Sequence, residues 1–249
     1  MSHFSDDLFL GAAPTGMGMN AALGNPSPMG LGVGPLGRIY VWDTVPVDRV
    51  TNNISLAASY TGAGNAVLAA GTGSTAVVRT DGVAVIQLDV PRAIRITIGT
   101  GTIADTAITV SGFDIYGQPM SEVIQTGTTQ STSVAGKKAF YQVSRVAVAG
   151  AVGGTVAVGT TNTLGIPVRL TDRGYAARIG WDSALADDAG VLVVADTATA
   201  TTTTGDVRGT YAPSTDPNGT KRLVMGILLP AIAAGPDATR TGALGVTQA

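Results

Sequence analysis

The sequence predicts an all-β protein: an antiparallel β-sandwich or jelly roll with an extended irregular N-terminal arm. Two observations carry that expectation. Glu122 is the only glutamate and the lysines are only Lys137, Lys138 and Lys221. Helices cover their solvent face with Glu and Lys, so a helical protein lacks its usual material here. In their place stand short Val-, Ile- and Thr-rich runs that alternate with polar residues at a period of two. Turn signals separate these runs roughly every 8–12 residues, and no alternation of strand and helix patterns appears.

Residues 1–37 come first and read differently from the rest. After Asp7 no charge appears until Arg38, and the segment is dense in Gly and Pro. That composition suits neither helix nor strand, yet it is not the polar Gly/Ser of a free linker. Met17, Met19, Leu23, Met29, Leu31, Val33 and Leu36 would leave much apolar surface in water. Two readings follow. The arm folds back on its own domain, or it lies on another subunit, where flexible Met side chains suit irregular grooves.

From Arg38 to about residue 230 the chain reads as one antiparallel β-domain, with an irregular tail over 231–249. Arg38 to Trp42 is a short strand, with Trp42 expected in or beside the core. Asn52 to Ala58 enters another. Val83–Val90 and Ala93–Ile98 are the clearest: Ile94, Ile96 and Ile98 face one way, Arg95 and Thr97 the other. Pro91 between them marks an edge, a bulge or a corner.

Thr106 to Gly150 reads as a β-meander. Ile108 and Val110 alternate with Thr109 and Ser111, and Asp114-Ile-Tyr-Gly-Gln-Pro119 supplies a tight turn. There Asp bonds its own backbone ahead, Gly117 accepts a positive φ, and Pro119 cannot continue a central ladder. The next strands are Met120–Thr126 and Ala139–Val148, with Phe140 expected in the core. Gly153-Gly154 predicts a hairpin between Val146/Val148 and Val156/Val158. Leu164–Leu170 follows, with Pro167 suggesting an exposed edge. Ala176–Trp181 and Gly190–Val194 add two strands, and Ser183–Asp188 is compatible with a helical turn. Asp196–Thr204 is a threonine-rich loop or edge, Asp216-Pro-Asn-Gly219 a turn, and Arg222–Leu229 a strand for the middle of a sandwich.

The totals narrow the function. At 249 residues and 24.9 kDa the chain can bury a sizeable core. A net charge of −2 gives no electrostatic footprint for nucleic acid or an anionic membrane. No apolar run reaches the roughly 18 residues of a membrane span. Asp6 and Asp7 stand where an export signal would carry Lys or Arg, so the expectation is a soluble protein made without an export signal.

Catalytic chemistry finds little footing. The one histidine is His3, in a terminus unsuited to a triad, and there is no cysteine for a thiolate metal site. Asp187-Asp188 or Asp206 could contribute to a calcium site, but solvated loop carboxylates account for them better. A carboxylate pair for glycoside hydrolysis is available among sixteen aspartates, the 17 acidic residues less Glu122. Aromatics at 5% offer little to stack on sugars. Gly62-Ala-Gly64 and Gly71–Ala76 echo dinucleotide loops without the helix such loops need, so both read as turns. The expectation is a protein with no cofactor and no catalytic site. Arginine outnumbers lysine, and its planar fork suits subunit interfaces.

Val110–Glu122, followed by Gly136-Lys-Lys-Ala-Phe140 and Val143–Val146, resembles a strand-turn-strand pattern of tailed-bacteriophage structural proteins. Gly205-Asp-Val-Arg-Gly-Thr-Tyr211-Ala-Pro-Ser looks like a segment of their head decoration, or cement, proteins. The similarity is one of style over residues 80–230, and related meanders occur in tail and fibre proteins. It implies a jelly-roll-like domain, often a homotrimer, on the capsid exterior of a virion assembled in the host cytoplasm. There it would bridge neighbouring copies of the major capsid protein. It brings no catalytic residues. On this resemblance Asp114, Gly117 and Pro119 shape the turn, and Arg208 and Tyr211 reach a subunit contact, a core tyrosine with a local hydrogen bond being the alternative. The apolar arm becomes a capsid clamp. A dimer, a tail or head-fibre role, and a host- or carbohydrate-binding β-protein remain alternatives.

Overall fold

The computed structural model describes residues 38–182, 187–229 and 246–248. Among them are thirteen strands and one 3-10 turn, Arg173–Tyr175, and no α-helix. The expected all-β class is what the chain adopts. The arm candidates Met17, Met19, Leu23, Met29, Leu31 and Leu36 lie outside the described residues, as do positions 183–186 of the expected helical turn.

The large sheet is built around β5 (Ala84–Ile98). Strand β8 (Thr132–Val148) pairs along one side of it, and β4 (Ser74–Val78) and β9 (Thr155–Gly165) share the other. Beyond β8 come β6 (Ala107–Phe113) and β7 (Pro119–Gln125); beyond β9 come β12 (Gly209–Ala212) and β11 (Val191–Val194). Two short strands, β2 (Ser55–Ser59) and β3 (Gly64–Asn65), attach to β9 and β8. A second sheet holds β13 (Leu223–Leu229) between β1 (Arg38–Thr44) and β10 (Ala176–Trp181). All these strand pairs are antiparallel.

The period-two pattern explains the core. Ile94, Ile96 and Ile98 are buried, as are Ile108 and Val110 on β6 and Val146 and Val148 on β8. They meet in one cluster that includes Phe140. Each such side chain contributes about 1.5–3 kcal/mol on leaving water. A second cluster joins the small sheet to the β9–β12 end of the large one through Trp42, Trp181, Leu164, Tyr211 and Met225. β13 is central in its sheet, as its apolar sequence requires.

The expected β-meander is corrected: the β6–β7 hairpin is present, but β8 returns to pair with the other side of β6, giving the order β7-β6-β8. Gly117 has φ +78°, and Asp114 Oδ1 accepts the N–H groups of Tyr116 and Gln118 at 2.9 and 2.8 Å. Pro91 does not end a strand. β5 runs through it, and the pairing registers shift between Gln87 and Arg92, so it marks a bulge. The Arg92 guanidinium beside it is fully buried. It donates to both carboxylate oxygens of Asp89 at 2.7 Å and to the carbonyls of Thr161 and Val47, tying the bulge to β9 and to the 46–50 segment.

Two local expectations are corrected. Gly153-Gly154 is not a hairpin turn, although Gly153 has φ +82°. The strands it joins, β8 and β9, lie on opposite sides of β5, so the link crosses the end of that strand. Pro167 is not at an exposed edge. β9 ends at Gly165, and Pro167 is buried with Ile166, Val168 and Leu170 where the two sheets meet.

Candidate functional site

Three of the four segments that carry the resemblance meet in space. The β6–β7 turn, the start of Gly136–Phe140 and the 205–211 segment converge on a buried ionic cluster. Glu122 shares its side of β7 with Met120 and Ile124, and all three are buried. Its carboxylate reaches across to β8, where Oε1 accepts the N–H of Lys137 and Oε2 that of Lys138. Gly136 makes this possible, because a Cβ there would lie 2.5 Å from Glu122 Oε2. Lys138 is itself buried, and its Nζ donates to the Ser121 carbonyl at 2.9 Å. Burial pushes the Glu122 carboxyl above its usual range despite the two amides, and pushes the Lys138 ammonium below its own.

Asp206 anchors the next segment. Its carboxylate accepts N–H groups from Ala139, Arg208 and Gly209 at 2.9, 2.8 and 3.2 Å. The expectation of a solvated Asp206 is therefore wrong: the residue is buried, and burial raises its pKa against the pull of those amides. Among the described residues no group of three acidic or imidazole side chains is placed to hold a metal ion.

Arg208 and Tyr211, read from the resemblance as subunit contacts, are both buried inside this chain. Arg208 Nη1 lies 2.8 Å from Asp114 Oδ2, an ion pair without the alignment of a hydrogen bond. Its guanidinium stands over the Tyr116 ring, 4.8 Å from the centroid, and Tyr116 Oη donates to the Pro167 carbonyl. Tyr211 is a buried tyrosine, as the alternative expected, but its Oη donates to the Asp188 carboxylate 23 residues away and not to a local group. Burial and the neighbouring carboxylate raise the Tyr211 phenol. Burial acts against the Asp188 carboxylate too, but bonds from Ser214 and Tyr211 hold it below its usual range.

The surface around this cluster is open. Two adjoining clefts of about 470 and 530 Å³ run over the exposed side of β8, β5, β9, β12 and β11, with Thr163 lining both. Large aliphatic side chains stand in solvent on the outermost strands: Leu56 of β2 is 60% exposed, Val78 of β4 69%, Val191 and Val193 of β11 62% and 50%. The threonine-rich 196–204 segment covers the β7 edge, where Val123 N–H donates to the Thr202 carbonyl. β11 ends the sheet on the other side with no charge and no proline in its four residues.

No family model, characterised protein or solved structure matches this chain. Sequence reasoning missed the buried charges at Glu122, Lys138, Asp206 and Arg208. A signal for Glu122 was present in its alternation with Met120 and Ile124.

Proposed function

We propose that this chain is a structural, non-catalytic virion protein of the decoration type. It binds the outer surface of a phage head as a homo-oligomer, favoured as a trimer, and stabilises contacts between major capsid proteins. The observation that carries the reading is the set of aliphatic side chains left in water on β2, β4 and β11. Charges or prolines usually protect such edges from pairing with other chains, and β11 has neither. Many shallow contacts repeated by symmetry are what a clamp on a closed shell requires. The convergence of the phage-like segments on one buried cluster supports the same reading, because it gives them a role in holding the domain's shape.

Co-sedimentation of the purified protein with intact phage heads, expanded capsids and isolated tails tests it, beside a polysaccharide-binding assay. Saturable sedimentation with heads is expected. Sedimentation with tails alone points to a tail or fibre component, and polysaccharide binding without particle binding to a host-recognition protein. Either result overturns the decoration reading.

A further inference from the structure

The paired clefts hold an imbalance of hydrogen-bonding groups. Their three carboxylates are engaged within the chain. Asp206 accepts three backbone amides, Asp196 accepts the N–H of Gly205 at 2.7 Å, and Asp216 accepts Asn162 Nδ2 at 2.8 Å. Their three cations form no ion pair with any described residue. Arg49 and Lys137 are exposed and form no ion pair or side-chain hydrogen bond with any described residue. Arg95 donates only to Ser133 Oγ at 2.7 Å, and its Nε is buried with no acceptor. A carboxylate entering the clefts would gain charge-assisted hydrogen bonds from cations that have no acidic partner in the chain. Beyond Lys137 the second cleft reaches the exposed Val193.

The chain carries a segment of matching chemistry. Asp6 and Asp7 are the only acidic side chains in residues 1–37, and Phe4, Leu8, Phe9 and Leu10 flank them. Two adjacent carboxylates between apolar residues complement a row of unpaired cations that leads to exposed valines. We propose that residues 1–10 of a second copy of this chain dock in these clefts, their Asp6 and Asp7 carboxylates received by Arg49, Arg95 and Lys137. This deepens the assembly reading and rests on it, since it takes the arm to lie on another subunit.

The absence of cysteine makes the test clean. Full-length Ser5→Cys and full-length Ala135→Cys, the latter on the exposed side of β8 between the clefts, carry different tags and are mixed under mild oxidation. A disulfide between the two tagged chains is expected. No cross-link, or a cross-link only within a single chain bearing both substitutions, overturns the proposal. Adding Arg49→Glu and Lys137→Glu to the acceptor changes only exposed side chains and should cut cross-linking at least about tenfold. Adding Asp6→Lys and Asp7→Lys to the donor should restore it, and failure of both effects shows that charge does not select the arm. Co-sedimentation of the same variants with phage heads is read separately. Lost cross-linking with retained head binding condemns this docking site alone, whereas retained cross-linking without head binding condemns the decoration reading alone.

Discussion

Asp114 and Arg208 form a buried ion pair that joins the β6–β7 turn to the segment leading into β12. Asp114 is also the residue that shapes the turn, through Oδ1, so one carboxylate serves local geometry with one oxygen and long-range closure with the other. Breaking the pair from the arginine side leaves a buried charge uncompensated. Arg208→Met is expected to cost about 3 kcal/mol in a denaturant titration. In a double-mutant cycle with Asp114→Asn, the coupling should be about 1 kcal/mol or more. Additive losses would show that the two residues act independently.

The raised Glu122 and Asp206 pKa values make a signed prediction for pH. Their folded-state values lie above the ordinary 4.5 and 3.8, so the folded chain holds these protons where the unfolded chain releases them. Their contribution is full below the ordinary values and is lost as pH rises through the elevated ones. Glu122→Gln cannot ionise. Its stability relative to wild type should therefore increase as pH is raised from about 4 toward neutrality, measured by urea unfolding at each pH. A relative decrease would mean that the amides of Lys137 and Lys138 outweigh burial.

Glycines are abundant, and they are not equivalent. At Gly112 a Cβ would lie 1.9 Å from the Gln142 carbonyl oxygen, where the β6–β8 register shifts. Gly112→Ala should destabilise by about 2 kcal/mol or more through forced backbone displacement. At Gly62 a Cβ meets nothing within 4 Å. Gly62→Ala should stay within about 0.5 kcal/mol of wild type. Thermal melts of both variants check the contrast.

Arg92 is expected to resist its conservative replacement. A lysine cannot hold both Asp89 oxygens while also reaching the carbonyls of Thr161 and Val47. Arg92→Lys should cost about 2 kcal/mol. It should also speed amide hydrogen exchange in residues 46–50, including Val47, whose N–H donates to Asp89. Unchanged exchange there would remove Arg92 as the tether of the cleft rim.

Local alternation was legible along the chain, and long-range closure was not. The β6–β7 hairpin, the Ile94–Ile98 face and the Asp114 turn could be read because each rests on neighbours a few residues apart, whereas the return of β8 to β6 instead of β7 could not. Gly153-Gly154 has the chemistry of a hairpin, yet β5 lies between the strands it joins, and nothing local announces that insertion. Pro167 looked like an edge residue because proline cannot donate to a ladder, whereas here the strand has already ended and the second sheet covers it. The buried charges escaped for a related reason. Each is matched by groups distant in sequence, Arg208 by Asp114 and Asp206 by the Ala139 amide, so composition suggested solvent where the fold provides partners.

The chain's uncovered aliphatic and cationic surface is expected to be completed by other molecules, its own copies first. Sedimentation equilibrium of the full-length protein over a wide concentration range tests it most directly. The account predicts an assembly of 24.9 kDa chains, a trimer foremost, whose Leu56→Lys, Val78→Lys and Val193→Lys variants shift toward single chains. A single chain at every concentration, unaltered by those substitutions, would contradict it.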